Sequence, residues 1–450
     1  MTLYPQHVFM AIFQFLYVVL SSLLMLCTLP LLPLIAGKRK YRSRILQRLG
    51  VGLHLRLKEA GQQSSTQPTI WIHALSVGEV TSALPLVRGL RQQRPEACIL
   101  FTATTRSGAE VAEILLAPLV DAIIPAPLDL GPVVPYFLHV IQPDLFIQVE
   151  TDFWPHWLFC LQSRKIPMLL VNGRISSHSF RRYRNAALLF RPMFAAFTLL
   201  AMQTENDAHK MNQLGLEASR VLTLGNLKFD TQQDGLSSTA PTDMEALRRD
   251  YGFSPDQPLW ICGSTHPGEE AVLLDIYATL RTRFPGLQLL LAPRNIDRTR
   301  EIVDLLEHLR LPCRRRTRAQ HTPGPVLILD TIGELAGCYA MADIAFIGGS
   351  LHPFGGHNPL EPAGVGIPVL VGPHTEDFSE ITRGLVDAGG VFQAENQQQL
   401  MQYLARLLDA PSECRAMGAR AASWMDAHRG VVGNHLKVID RLLAIKQPVT

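Results

Sequence analysis

Residues 343–366 read DIAFIGGSLHPFGGHNPLEPAGVG. Ile344 to Ile347 form an unbroken apolar run, the pattern of a strand buried on both faces. Glycines follow at 348, 349, 355, 356, 364 and 366. A plain turn needs fewer; glycines in this number supply positive φ and let a ligand come close to main-chain N–H groups. His357, Asn358 and Glu361 have no part in a simple reversal of the chain. An apolar strand, a glycine-rich loop and a helix start near Leu360 are how an α/β unit presents amides and a helix N-terminus to a phosphate or sugar.

The same rhythm recurs on both sides of this stretch. Downstream comes IPVLV (367–371). Upstream, PLWIC (258–262) runs into GSTHPGEE (263–270), LQLLLA (287–292) into Pro293 and Arg294, and VLIL (326–329) into TIGE (331–334). A first series precedes these. TIWIH (69–73) ends in SVGE (76–79), CILFT (98–102) in TTRSG (104–108), DLFIQV (144–149) in ETDFWP (150–155), and IPMLLV (166–171) in NGRIS (172–176). Apolar strands alternating with helical segments predict parallel sheets covered on both faces. Ligands bind such sheets at the carboxyl ends of the strands, where every one of these polar motifs falls. The polar segment TQQDGLSSTAPT (231–242) separates the two series and marks a boundary. The expected fold is α/β, with two doubly wound, Rossmann-like domains facing a cleft. The first covers 45–230, a linker covers 231–243, and the second covers 244–450 and includes the C-terminal helices.

Composition sets limits on function. Hydrophobic residues make up 47% and charged residues 18%, which excludes an intrinsically disordered chain. Forty-two basic against 39 acidic residues leave +3, too small an excess for a nucleic-acid binder. The seven cysteines, at 27, 98, 160, 262, 313, 338 and 414, show no C-x-x-C spacing and read as reduced structural thiols in a reducing cytosol. Residues 8–37 carry no charge, and Lys38, Arg39, Lys40, Arg42 and Arg44 follow directly. A run of that length spans a bilayer as a helix, and the basic flank marks the cytoplasmic end. Residues 1–44 are therefore expected to form a single-pass N-terminal transmembrane anchor with its basic junction, the remaining chain lying on the cytoplasmic side. A helix lying in the interface is the alternative.

Five segments together carry a resemblance: HALSVGE (73–79), ETDFWP (150–155), GNLKFD (225–230), GSTHPGEE (263–270) and GGS through GGHNPLE (348–361). In this order and spacing the chain resembles the 3-deoxy-D-manno-octulosonic acid (Kdo) transferases of Gram-negative bacteria. The resemblance runs from the anchor to about residue 430. It implies the GT-B fold, no cofactor and no required metal. The implied reaction is inverting transfer of Kdo from CMP-Kdo to the lipid A precursor, lipid IVA, in lipopolysaccharide biosynthesis at the inner membrane. Partners would be that donor, that acceptor and membrane lipids, with no nucleic acid. The sequence departs from the family's usual pattern after Arg294, where NID (295–297) stands in place of His-Pro-Glu. Two rival readings are a sugar-nucleotide epimerase and a non-enzymatic, membrane-tethered nucleotide-sugar binder.

Glu79 closes a strand-end turn. By position it is either a base for a poorly nucleophilic hydroxyl or a first-turn complement to a helix dipole. The resemblance implies the proton acceptor. It also implies that Glu150 and Lys228 stabilise the transition state. Without it, Glu150 caps a helix or pairs with Arg174, and Lys228 is a solvated loop lysine. The CMP moiety is implied to lie against Pro293 and Arg294, against Ile332, Gly333 and Glu334, and against Asn358, Pro359, Leu360 and Glu361. Arg294 suits a phosphate or carboxylate. Gly333 allows backbone approach, Glu361 can accept from ribose hydroxyls, and Asn358 can orient base or phosphate. Ser264 and the amides around Gly263 read as a second phosphate cradle. HSFRRYR (178–184) and LLFRPMF (188–194) mix arginine with apolar residues, the pattern of an amphipathic helix or of a membrane-facing acceptor surface. RRRTR (314–318) reads as a solvated loop.

Overall fold

The computed structural model describes residues 13, 15–23, 39–59, 67–230, 241–318 and 324–446. The chain divides into two compact units, one within Met1–Thr231 and Gly430–Thr450, the other within Gln232–Arg429.

The first unit is built on seven strands: β1 (Thr69–Ala74), β2 (Cys98–Ala103), β3 (Ala122–Pro125), β4 (Leu145–Val149), β5 (Met168–Gly173), β6 (Leu199–Met202) and β7 (Val221–Thr223). Their order is β3-β2-β1-β4-β5-β6-β7 and every pairing is parallel. The first six reproduce the Rossmann order, with the switch point between β1 and β4. β1 is buried along its whole length because helices cover both faces of the sheet. Trp71 faces Leu100 on one side and Phe146 on the other, and Trp157 packs on it at 4.8 Å. The helix Val77–Gln93 starts at Ser76, whose hydroxyl accepts from the Glu79 N–H. The helix Pro155–Ser163 has no cap of its own. Asp129 supplies one from another loop, accepting from His156 N at 3.1 Å and Trp157 N at 2.8 Å.

The second unit repeats the plan with β8 (Leu259–Thr265), β9 (Gln288–Pro293), β10 (Cys313–Arg315), β11 (Val326–Ile328), β12 (Ile344–Ile347), β13 (Val369–Val371) and β14 (Val391–Gln393). The order β10-β11-β9-β8-β12-β13-β14 is again all parallel, and the switch point lies between β8 and β12. Trp260, Tyr277 and Phe346 are fully buried at its centre. Close approach forces glycine at several positions, two of them beside the switch point. A Cβ on Gly348 would stand 2.3 Å from the Ser264 carbonyl oxygen, and one on Gly263 would stand 1.9 Å from the Tyr339 hydroxyl.

Three expectations need revising or delimiting. First, the arginine run 314–318 is not a solvated loop. Arg314 is buried in edge strand β10, donates to the carbonyls of Tyr251 and Gly324, and stacks over Phe253. Arg315 pairs with Asp330, and Arg316 with Glu334 and Asp250. Second, the chain after residue 429 belongs to the first unit, not to the 244–450 domain. The helix Val431–Lys446 lies on Val77–Gln93, where Gly89 leaves room for Val432 and Leu436. Asp230 caps it by accepting from Gly430 N and Val432 N, and Arg94 pairs with Asp440 at 2.7 Å. Third, most of the expected anchor lies outside the described residues. Residues 15–23 are helical; Tyr17 donates to Asp129, while Phe15, Leu16, Leu20 and Leu23 are exposed. Among the described residues no helix is long and apolar enough to cross a membrane.

Candidate active site

In the first unit the expected catalytic residues gather at the β1/β4 switch point. Glu79 lies on the first turn of the helix after β1 and is buried. Its Oε2 accepts from Leu75 N at 2.5 Å, while among the described residues Oε1 meets only the Ser76 hydroxyl at 3.3 Å. Burial pushes this carboxyl up to about 7, and the nearby charges of Glu150 and Asp152 add to the rise. Glu150 directly follows β4 with φ at +60°, a left-handed conformation that costs energy for a non-glycine residue. It does not cap the next helix, whose cap is Asp129. Its Oε1 accepts from the Asn172 amide at 3.1 Å. Burial raises the Glu150 carboxyl, and Lys228 opposes that most, ahead of Asn172 and Arg174.

Lys228 sits in the 3₁₀ turn Leu227–Asp230, half-buried rather than solvated. Its placement comes from a network that the sequence did not announce. Asn172, itself at φ +56°, accepts from Leu227 N through Oδ1 at 3.0 Å while holding Glu150 through Nδ2. Gln203 donates to the Asn172 carbonyl and accepts from Asn226, and Asn226 in turn accepts from Lys228 N. The chain of amides runs from β5 through β6 to the 227–230 turn. It holds the Glu150 carboxyl, whose charge reaches Glu79, and the turn that carries Lys228, whose charge reaches Glu150.

The second unit brings the three nucleotide segments and Ser264 to the carboxyl edge of its own sheet. Arg294 directly follows β9, its N–H pinned to the Thr265 carbonyl at 2.9 Å. The next arginine in this turn, Arg298, is committed to Glu270 by two bonds at 2.9 and 3.2 Å. Arg294 is exposed, and among the described residues its guanidinium has no hydrogen bond. Burial lifts the Glu361 carboxyl, and Asn358 and Arg294 hold it back. Asn358 spans the segment, donating to Glu361 at 3.2 Å and accepting from Leu360 N at 3.1 Å. Pro359 and Leu360 are buried, so their side chains serve packing and only their backbone can face a ligand. Ile332 is 84% exposed, Gly333 has φ +92° and open space where a Cβ would stand, and Glu334 already accepts from Tyr251 and Arg316. Ser264 is half-buried at φ +57°. Beside it, His266 and His357 share a 2.8 Å contact between their Nε2 atoms, and Phe354 stacks on His266 at 4.3 Å. Burial, then Arg294 and His266, bring His357 down to about 4, so it is uncharged at neutral pH, and burial lowers His266 as well.

The reading of 348–366 as a phosphate cradle changes in one respect. The N–H groups of Gly349, Ser350 and Leu351 all point at the Glu269 carboxylate. They are occupied from inside the protein.

Two Rossmann-type units in one chain, each with its polar loops at the switch point of its sheet, define the GT-B architecture. Among solved structures, the UDP-GlcNAc 2-epimerase from Neisseria meningitidis bound to UDP-GlcNAc shares this fold, with a TM-score of 0.58 at 15% identity over 84% of this chain and 100% of that one. The family model described as 3-deoxy-D-manno-octulosonic-acid transferase (kdotransferase) matches residues 43–231. The 3-deoxy-D-manno-octulosonic acid transferase of Haemophilus influenzae is 33% identical over 441 residues, 95% of this chain and 97% of that protein. The protein of the same name from Bordetella pertussis is 30% identical over 383 residues, 82% of this chain and 86% of that one. The chain belongs to the Kdo transferase family, and it is a glycosyltransferase enzyme.

Proposed function

We propose that the protein transfers Kdo from CMP-Kdo to a sugar hydroxyl of the lipid A precursor, with inversion at the anomeric carbon. The observation that carries this reading is Glu79, a buried carboxyl raised to about 7 at the switch point, with Glu150 near it and Lys228 near Glu150. A sugar hydroxyl attacks only as its proton leaves, and Glu79 Oε1 is the oxygen with capacity to take it. The new C–O bond forms as the bond from the anomeric carbon to the phosphate oxygen breaks. The electron pair leaves with CMP, and the proton rests on Glu79. Lys228 and Glu150 shape the field in which this charge moves. The second unit binds the donor. Arg294 meets the phosphate, Glu361 and Asn358 the ribose side, and the backbone at Gly333 the base. The decisive assay is incubation with CMP-Kdo and a tetraacylated precursor, followed by mass spectrometry. CMP binding without any Kdo-sized mass gain would favour the binder, and turnover without an acceptor would favour an epimerase.

The raised carboxyl sets a pH dependence. Glu79 accepts a proton only when ionised, so kcat/KM climbs roughly tenfold per pH unit below about 7 and levels off above it. A rate profile that stays flat through neutrality would remove Glu79 as the base.

The protein works at the inner membrane with both units on the cytoplasmic side, where its acceptor is presented. Supporting this are the uncharged run 8–37 with its basic flank and the exposed apolar residues Phe15, Leu16, Leu20 and Leu23. The helix Ser177–Asn185 has no buried residue, exposes Arg181, Arg182 and Arg184, and precedes Leu188, which is 67% exposed. This is the surface on which phosphorylated lipid is received. Changing the three arginines to glutamate raises the apparent KM for vesicle-borne acceptor about tenfold or more. Unchanged kinetics on vesicles would assign the arginines to solvation alone.

A further inference from the structure

Glu269 is fully buried, and among the described residues no lysine or arginine pairs with it. An ionised carboxylate in that setting must be met by hydrogen bonds. Four backbone N–H groups meet it. Oε2 accepts from His266 at 2.8 Å and Gly349 at 2.7 Å; Oε1 accepts from Ser350 at 3.0 Å and Leu351 at 2.9 Å. Three consecutive N–H groups converging on one anion, with Gly349 at φ +70°, form the concavity that usually takes a phosphate. Here a side chain of the same unit fills it. The four amides come from the loops after β8 and after β12, which flank the switch point of the second sheet. The neighbouring Glu270 is used differently, by Thr265 and Arg298. The hold extends further through Ser350, whose hydroxyl accepts from Gly372 N after β13.

We propose that Glu269 is a positioning residue, a built-in anion that locks the two loops of the donor site together and closes their amide nest to the phosphate of the donor. This rests on the reading that the second unit binds the nucleotide sugar. The phosphate is consequently left to Arg294 and its neighbours. Loss of the anion loosens both loops and weakens donor binding, while the proton acceptor in the other unit is untouched.

The test uses the full-length protein in detergent with two substitutions, Glu269→Ala and the isosteric Glu269→Gln. Glutamine keeps the volume but turns an N–H₂ toward two N–H donors. Both variants are expected to raise KM for CMP-Kdo about tenfold or more, with kcat within a few-fold and the pH profile unmoved. Amide hydrogen exchange across 349–351 should accelerate in both. Sodium formate, which replaces the missing carboxylate, should lower KM and slow exchange again in Glu269→Ala, and sodium chloride at equal ionic strength should not. A wild-type KM in Glu269→Gln, or equal rescue by chloride, overturns the proposal. Should Glu269→Ala fail to fold, the glutamine variant decides. If wild-type protein transfers no Kdo, the donor reading fails, while the exchange and formate arms still judge the clamp.

Discussion

Replacing Glu79 with glutamine is expected to lower kcat by about 10³-fold while the protein stays folded. Glutamine keeps the side-chain volume and can still accept from Leu75 N, so the turn at 75–79 survives. What disappears is the carboxylate proposed to take the acceptor's proton. Stability should move the other way. A carboxyl whose pKa in the folded protein is raised above its unfolded value costs stability as it ionises, and that cost is complete above about 7. At pH 8 the glutamine variant should therefore melt no lower than wild type. Calorimetry and a transfer assay on one preparation read both effects. Substantial transfer by the glutamine variant would contradict the assignment of the base, and a large drop in melting temperature would show that the residue is structural.

The second large effect is expected at Arg294, and it falls on KM. Arg294→Ala should raise KM for CMP-Kdo by roughly 10- to 100-fold, the worth of a charge-assisted hydrogen bond to phosphate. The fold should not notice, because the guanidinium is exposed and its backbone N–H still bonds to Thr265. Arg294→Lys should recover only part of the loss, since an ammonium cannot make a paired contact. Arg298→Ala is the informative contrast. That arginine is spent on buried Glu270, so its loss should lower stability more than donor affinity. Should the two variants behave alike, the division of labour within the turn is wrong.

The architecture was legible because parallel strands covered on both faces leave long apolar runs, and polar motifs after such runs mark the carboxyl edge. Glu79, Glu150 and Lys228 could be proposed as partners from the resemblance their strings carry, and in the fold Glu150 lies near Glu79 and Lys228 near Glu150. Their supports could not be read. Asn172 bridges Glu150 and the 227–230 turn only because three strands lie side by side, and nothing local distinguishes it from an ordinary turn asparagine. In GSTHPGEE (263–270) two adjacent glutamates face opposite partners, one four amides and one an arginine. Helical periodicity separates the two faces but does not say what each will meet. The arginine run 314–318 misled for a related reason. Charge density suggests solvent, whereas here carbonyls, carboxylates and aromatic rings absorb four successive side-chain or backbone groups. The final helix shows an apolar stripe in the sequence, and a stripe says that something is covered without saying by which unit.

That final helix also fixes an order of events during synthesis. The chain leaves the first unit after Asp230 and returns to it at Gly430, where Asp230 receives it. The second unit is thus an insertion in the first. A ribosome delivers all of Gln232–Arg429 before it delivers the segment that covers Gly89 and the helix carrying Glu79. The unit begun first is completed only after the other has been made, and the face that the helix Val431–Lys446 covers must wait for that segment to emerge.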